Sequence, residues 1–228
     1  MKARRMNVRL IWGVMFILLL YPIRANRDTA LVYSARINNL SLVRLFLALG
    51  ANPDGSLLAG PAIVSHENTQ AIFYTLVEHG AKIPDKVVQD FVYRGNMPEL
   101  LYCLNHGYTL TEQRKIGLLN CACRYHDAPY NFEMVRFFVE KGADINGKPD
   151  YPNYSNHDLP TVIWSTVVFD NWEAFQYLRA KGARLDINGK DAYGRTLPSM
   201  ARKSSKILQY LLKNRNVRGK GDINDNTL

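Results

Sequence analysis

The residues Thr29 to Asp54, TALVYSARINNLSLVRLFLALGANPD, constrain the whole chain because the later segments can be laid over them as degraded copies. Ala30, Leu31, Ser34 and Ala35 recur at spacings that give a short helix one small-residue face, as two closely stacked helices require. Asn38 and Asn39 interrupt that pattern. Leu40, Val43 and Leu47, with Leu42, Leu45 and Phe46, then make a second helix with a broad apolar stripe. Gly50 closes it with the residue that most easily adopts the φ > 0 of a helix end. Closing glycines return at Gly80, Gly107, Gly142 and Gly182, separated by 30, 27, 35 and 40 residues. Self-similarity at such a period is the signature of a stacked array, in which each unit buries its apolar face only against its neighbours.

The unit resembles an ankyrin repeat, whose consensus has a Thr-Pro-Leu-His opening, an Ala-Ala pair, a tight turn, a Val/Leu helix and a Gly-Ala-Asp ending. Thr29, Leu31, Ser34-Ala35, Leu40, Val43, Leu45, Leu47, Gly50-Ala51 and Asn52 stand at the matching positions, with Ala30 where proline is usual. The resemblance extends over residues 29–214 and implies an all-α fold, a solenoid of about six irregular helix-turn-helix repeats. The markers of tetratricopeptide repeats are absent.

Repeat two is expected from Ala59 to Gly80, with Ala71 to Val77 in its second helix, and repeat three from Lys86 to Gly107. In repeat three Gly95 falls at the turn, Leu100, Leu101 and Leu104 form the stripe, and Phe91 and Val92 replace the Ala-Ala pair. Side chains of that size demand splaying or local repacking. Repeat four pairs a helix from Ile116 to Arg124 with one from Phe132 to Glu140, across an expanded turn at His126 to Tyr130. The stretch Asn146 to Pro160 has loop composition, and a connection of that length in a compact array is often functional. Repeat five runs from Thr161 to Gly182, and a last unit opens at Asp191 and ends in an amphipathic helix from Lys206 to Asn214, polar outside as a terminal cap must be. Residues 215–228 read as a tail.

The first 25 residues stand apart. Lys2, Arg4, Arg5 and Arg9 precede an apolar run from Leu10 to Tyr21, and Ala25 marks a cut site, so residues 1–25 read as a signal peptide and residues 26–214 as the repeat domain. The run is shorter than the about 20 residues of a membrane span. Ile23 at the −3 position is bulky for a cut site, and retention as an inner-membrane anchor is the alternative. A helix capping the stack fits less well, because the run is apolar all round. Either export reading puts the repeats in the periplasm, free or anchored, with membrane contact only through an uncleaved segment. Removing residues 1–25 takes away five basic residues and no acidic one, so the formal charge falls from +9 to +4, and a nucleic-acid partner loses its support.

No catalytic or cofactor fingerprint is present, and no enzyme is expected. His66, His79, His106, His126 and His157 are scattered over different repeats, which excludes ordinary metal-ligand spacing. His79 and His106 each precede a closing glycine and are expected to cap helix ends. Cys121 and Cys123 project about 200° apart on a helix and cannot share one ion. Buried free thiols are the default, with Cys103 paired to Cys121 or Cys123 in an oxidising compartment as the alternative.

The resemblance implies a concave binding face, lined by the two residues after each small pair and by the loop tips. In this register those are Arg36, His66, Tyr93, Arg94, Arg124, Tyr125, Phe169 and Arg202, with Ile37, Glu67, Val168 and Lys203 beside them and Tyr151, Tyr154 and Tyr193 on loops. Arg, Tyr and Phe are the types enriched at protein-binding hot spots, whereas Val168 and Phe169 belong to the core if the register is displaced by one. Export plus this surface is similar in architecture to the periplasmic ankyrin immunity proteins that accompany phospholipase effectors of bacterial type VI secretion. That resemblance implies a chain, monomeric when free, that binds and neutralises a secreted toxin. A periplasmic scaffold or stress-related accessory protein without a toxin partner is the other reading.

Overall fold

A computed structural model of the chain describes residues 27–54, 67–124, 131–149, 161–203 and 205–215. The expected signal segment, the first helix of repeat two, the expanded turn of repeat four, the 150–160 part of the long loop and the tail lie outside these residues. The chain divides into two compact units, Met1–Val87 and Val88–Leu228. Among the described residues every regular element is a helix, apart from one isolated antiparallel bridge between Lys190 and Thr196. This is the all-α architecture expected.

The first unit contains α1 (residues 27–36), α2 (Leu40–Ala48) and α3 (Glu67–Glu78), and α4 (Asp85–Tyr93) begins at its end. Leu31, Ala35, Val43 and Leu47 are buried, so the small-residue face of α1 and the stripe of α2 meet as the spacing requires. Between them Asn38 takes φ 59°, a left-handed conformation in which asparagine is among the tolerated residues, and the Asn39 side chain caps α2 by accepting from Leu42 N at 3.1 Å. α2 packs on α3. The loops of the two repeats are latched as well, Lys82 N donating to Asp54 Oδ1 at 3.0 Å. One boundary differs from the expected register: Glu67 opens α3, the second helix of repeat two, and does not follow a small pair on the first.

The second unit continues with α5 (Met97–Asn105), α6 (Glu112–Cys123), α7 (Asn131–Glu140), α8 (Val162–Val168), α9 (Trp172–Ala180), α10 (Leu197–Met200) and α11 (Lys206–Arg215). First helices stack in one row, α6 on α8 on α10, and second helices in the other, α7 on α9 on α11. A buried polar seam ties the first row. Ser165 Oγ donates to Asn120 Oδ1 across α6 and α8, and Asn171 Nδ2 donates to Cys123 O at 3.3 Å while its Oδ1 caps α9 at Ala174 N, 3.1 Å away. Asn146 repeats the loop latch of Asp54, its Oδ1 accepting from Arg184 N at 2.7 Å.

Two expectations change here. In α5, Leu100 and Cys103 are buried together with Glu99, while Leu101 points outward; the stripe is therefore one residue out of phase with the predicted Leu100-Leu101-Leu104 set. The first helix of repeat four starts at Glu112, four residues before Ile116, because Thr111 Oγ1 caps it by accepting from Arg114 N. Phe91 and Val92, expected to demand splaying or local repacking of repeat three, are both fully buried.

The entry to α10 is a tight turn organised by one carboxylate. Asp191 accepts from Tyr193 N at 2.9 Å and Arg195 N at 2.8 Å through Oδ1, and from Arg195 Nε at 2.6 Å through Oδ2, with Gly194 at φ 76° closing the turn. Burial acts to raise the Asp191 pKa, but the hydrogen bonds from Arg195 and Tyr193 and the Arg195 charge outweigh it and hold the carboxyl below the usual carboxylate range.

All five predicted closing glycines have positive φ: 79°, 88°, 92°, 77° and 93° from Gly50 to Gly182. At Gly142 an added Cβ meets only Lys115 Nζ, at 3.8 Å, so there is space and the cost is conformational. Replacing Gly142 by Val is expected to lower unfolding free energy by about 1–2 kcal/mol, the left-handed strain of a residue with a Cβ. The midpoint of urea unfolding measures it, and an unchanged midpoint refutes the left-handed closure. A second expectation concerns acid. Because the folded Asp191 pKa lies below its unfolded value of about 3.9, its stabilisation is complete above that value and is lost as pH falls through the folded pKa. Asp191→Asn should therefore flatten the loss of thermal stability below about pH 4; identical acid profiles for the two proteins would remove Asp191 as its source.

Candidate functional site

The predicted binding residues emerge from the ends of first helices because the small or apolar pair before each is pulled into the stack. In the first unit Ser34 and Ala35 are buried, and the next two residues, Arg36 and Ile37, are exposed. In the second unit Phe91 and Val92 are buried, and Tyr93 and Arg94 are exposed; Arg94 Nε lies 3.5 Å from Asp90 Oδ2, one helical turn back. The same step follows Ala122 and Cys123, where Arg124 is half-buried. The Arg124 guanidinium carbon lies 5.7 Å from the centre of the Phe169 ring, within cation–π range.

Arg124 ends α6 and Phe169 is the C-cap of α8, so the stacking of these helices brings the two predicted residues together. Val168 and Phe169 are both half-buried, neither core nor free surface. Arg202 is exposed just after α10. Tyr193 stands on the turn held by Asp191, 65% exposed, with the Arg195 guanidinium carbon 4.8 Å from its ring centre. His66, Tyr125, Tyr151 and Tyr154 lie outside the described residues.

Sequence reasoning missed Arg195, which holds the Tyr193 turn through Asp191. Its signal was an Asp followed four residues later by an Arg around Tyr-Gly. The chemistry available is that of a binding surface: planar cations and aromatic rings held by neighbours, able to form forked hydrogen bonds and to stack.

Among the described residues the histidines and cysteines are occupied or sealed. His79 Nδ1 lies 2.8 Å from Thr75 O, and His106 Nδ1 lies 2.8 Å from Tyr102 O, so both histidines cap helix ends as their positions before closing glycines suggested. The His106 ring also stacks on Tyr102, with centroids 3.9 Å apart. Cys103, Cys121 and Cys123 are free and buried. Burial, with Glu99 adding to it, pushes the Cys103 pKa up to about 12, and burial, then Cys121, pushes Cys123 up as well; both therefore stay protonated and poorly nucleophilic. Among the described residues no cluster of three or more His, Cys, Asp or Glu is placed to hold a metal ion, and no helix is long and apolar enough to cross a membrane.

Comparison with known proteins agrees with the fold. Residues 26–56 match the family described as Ankyrin repeat. Among solved structures, the human ASB11 ankyrin repeat domain superposes with a TM-score of 0.55 at 19% identity, over 84% of this chain and 83% of that chain, a likeness that speaks to the fold alone. No curated protein matches the sequence. The chain has the ankyrin-repeat fold, and repeats of this kind are protein-binding modules.

Proposed function

We propose that the protein is exported through residues 1–25, acts in the periplasm, and binds and neutralises one protein partner, a toxin delivered into that compartment. The resemblance stated above favours a type VI phospholipase effector as the toxin. The observation that carries the binding reading is the set of Tyr93, Arg94 and Arg124 presented at successive first-helix ends, with Arg124 held against Phe169. Arg and Tyr anchors of this kind dominate measured hot spots, and holding them in place lowers the entropy lost on binding. Neutralisation follows if the bound array blocks access to the toxin's own site.

Export rests on the order of basic, apolar and small residues in the first 25 positions. N-terminal sequencing of protein from fractionated cells should find Asn26 first, in the periplasmic fraction; an intact Met1 in the soluble cytoplasmic fraction would refute the localisation. For the binding surface, cells producing a candidate type VI phospholipase toxin in the periplasm should survive with the parent protein. They should die with a variant carrying Tyr93, Arg94, Arg124 and Tyr125 all changed to Ala, while that variant keeps its melting temperature. Equal protection by both proteins would remove this surface from the mechanism. A parent that protects against no such toxin would leave the scaffold reading in its place.

A further inference from the structure

In the second unit, two contacts show which positions of a repeat press against the repeat before it. On the first helix, Ser165 donates backward to Asn120, and Ser165 lies five residues before the left-handed Asp170. On the second helix, the Tyr177 ring sits edge-on to Phe132 of the preceding repeat at 5.6 Å, and Tyr177 lies five residues before Gly182. The equivalents in repeat one are Tyr33, five before the left-handed Asn38, and Leu45, five before Gly50. Both are uncovered among the described residues, 61% and 49% exposed. At the second position the other repeats place Thr75, Tyr102, Phe137 and Tyr177, all buried or half-buried.

The apolar surface continues beyond these two positions. Ile37 continues the Tyr33 row and Leu49 continues the Leu45 row, each one helical turn on, and they are 45% and 48% exposed. Leu49 stands directly before its closing glycine. The other four repeats carry His79, His106, Lys141 or Lys181 there, all exposed, as suits a helix end in water. Among the five repeats with a closing glycine, repeat one alone has an apolar side chain at this position.

The charges around this end are uneven. Asp28 Oδ1 accepts from Asn52 N at 2.7 Å, and Asp54 Oδ1 accepts from Lys82 N, so both acids of repeat one are engaged by backbone donors. Arg36 and Arg44 stand exposed beside Ile37 and Leu45, with no ion-pair partner among the described residues. The Leu10–Tyr21 apolar run ends at residue 21, and the chain is in α1 by residue 27. Six residues span at most about 20 Å, so where that run is retained as the inner-membrane anchor, the alternative to a cut before Asn26, this end of the repeats is held at the lipid surface.

We propose that the end face formed by Tyr33, Ile37, Leu45 and Leu49, flanked by Arg36 and Arg44, docks on an anionic lipid surface. Apolar side chains enter the headgroup boundary and the two guanidiniums meet lipid phosphates, the pairing that holds interfacial proteins to membranes. This goes beyond the partner-binding reading and rests on retention of the apolar run as an anchor; it shares Arg36 and Ile37 with the expected partner-binding set but involves neither Tyr93 nor Arg124.

The test uses the full chain with Leu45→Cys, reconstituted in vesicles of phosphatidylethanolamine and phosphatidylglycerol and treated with a membrane-impermeant maleimide. Leu101→Cys, similarly exposed on α5, is the control in the same vesicles, and the native cysteines, buried and protonated, provide a slow background. The expected result is labelling of Leu45→Cys at least tenfold slower than the control in these vesicles, and equal to it in detergent. Equal rates in the vesicles overturn the proposal. Slow labelling already present in detergent overturns it in favour of a protein covering, a second copy or the chain itself. Equal protection on neutral phosphatidylcholine vesicles overturns the assignment to anionic lipid. Toxin protection by Leu45→Cys is read separately, so a failure here leaves the partner-binding reading standing.

Discussion

A backbone that goes left-handed at the end of five successive second helices is the constraint on which the rest depends. At Gly50, Gly80, Gly107, Gly142 and Gly182 the chain leaves its helix with φ between 77° and 93°. The next residue is then turned inward: Ala51, Ala81, Tyr108, Ala143 and Ala183 are all buried, and each donates its N–H to a carbonyl near the end of the helix just closed. Three of the intervening turns use the same conformation at Asn38, Gly95 and Asp170, each followed by an asparagine. In repeats one, three and five two left-handed residues, one at each reversal, bring each helix back against its partner. An L-residue other than Gly, Asn or Asp adopts that conformation at a cost of about 1–2 kcal/mol, which is why these positions survive where the rest of the consensus has drifted.

Stacking one pair on the next relies on contacts that vary along the chain. Between repeats four and five the seam is polar. Asn120 lies in the apolar run Leu118-Leu119-Asn120-Cys121, where an unsatisfied amide would be costly, and Ser165 supplies the donor its oxygen requires. Asn171 both caps its own helix and reaches back to Cys123 O. A polar seam of this kind is directional: a neighbour displaced by one residue leaves the Asn120 oxygen without its donor, so it favours one register over the alternatives that a purely apolar interface would tolerate. The loop latches at Asp54 and Asn146 act similarly on the other side of the repeat.

The elements that sequence made legible are those written in backbone chemistry. Every closing glycine, the Asn38-Asn39 turn, the buried Ser34-Ala35 pair and the two histidine caps are local, each decided by one residue's conformational range or by a side chain reaching four residues back. The features that were missed depend on three dimensions. Leu101 belongs to an apolar pattern on paper, yet α5 is rotated so that Glu99, Leu100 and Cys103 face inward, which spacing alone does not decide in a nine-residue helix. The Asn120–Ser165 seam joins residues 45 apart and has no sequence period to reveal it. Within the candidate site, sequence placed Tyr93, Arg94 and Arg124 at helix ends correctly, but the contact between Arg124 and Phe169 emerges only when α6 and α8 are stacked.

The division of labour within a repeat explains why function in such an array lies in positions the fold leaves undetermined. The left-handed residues and the small or apolar pair fix where the first helix ends, and the side chains immediately after it leave the stack in two repeats, Arg36 and Ile37 in one and Tyr93 and Arg94 in another, while Arg124, Val168 and Phe169 leave it only in part. No packing requirement selects arginine or tyrosine there. The same freedom holds before a closing glycine, where four repeats place His or Lys and the first places leucine. Water favours the polar choice at an exposed helix end, both by hydration and through the helix dipole, so an apolar side chain there is unfavourable unless something other than water meets it. A repeat array thus separates its two kinds of information physically: departures from the repeat pattern at buried positions report how neighbours pack, whereas departures at exposed ones report what lies outside the protein.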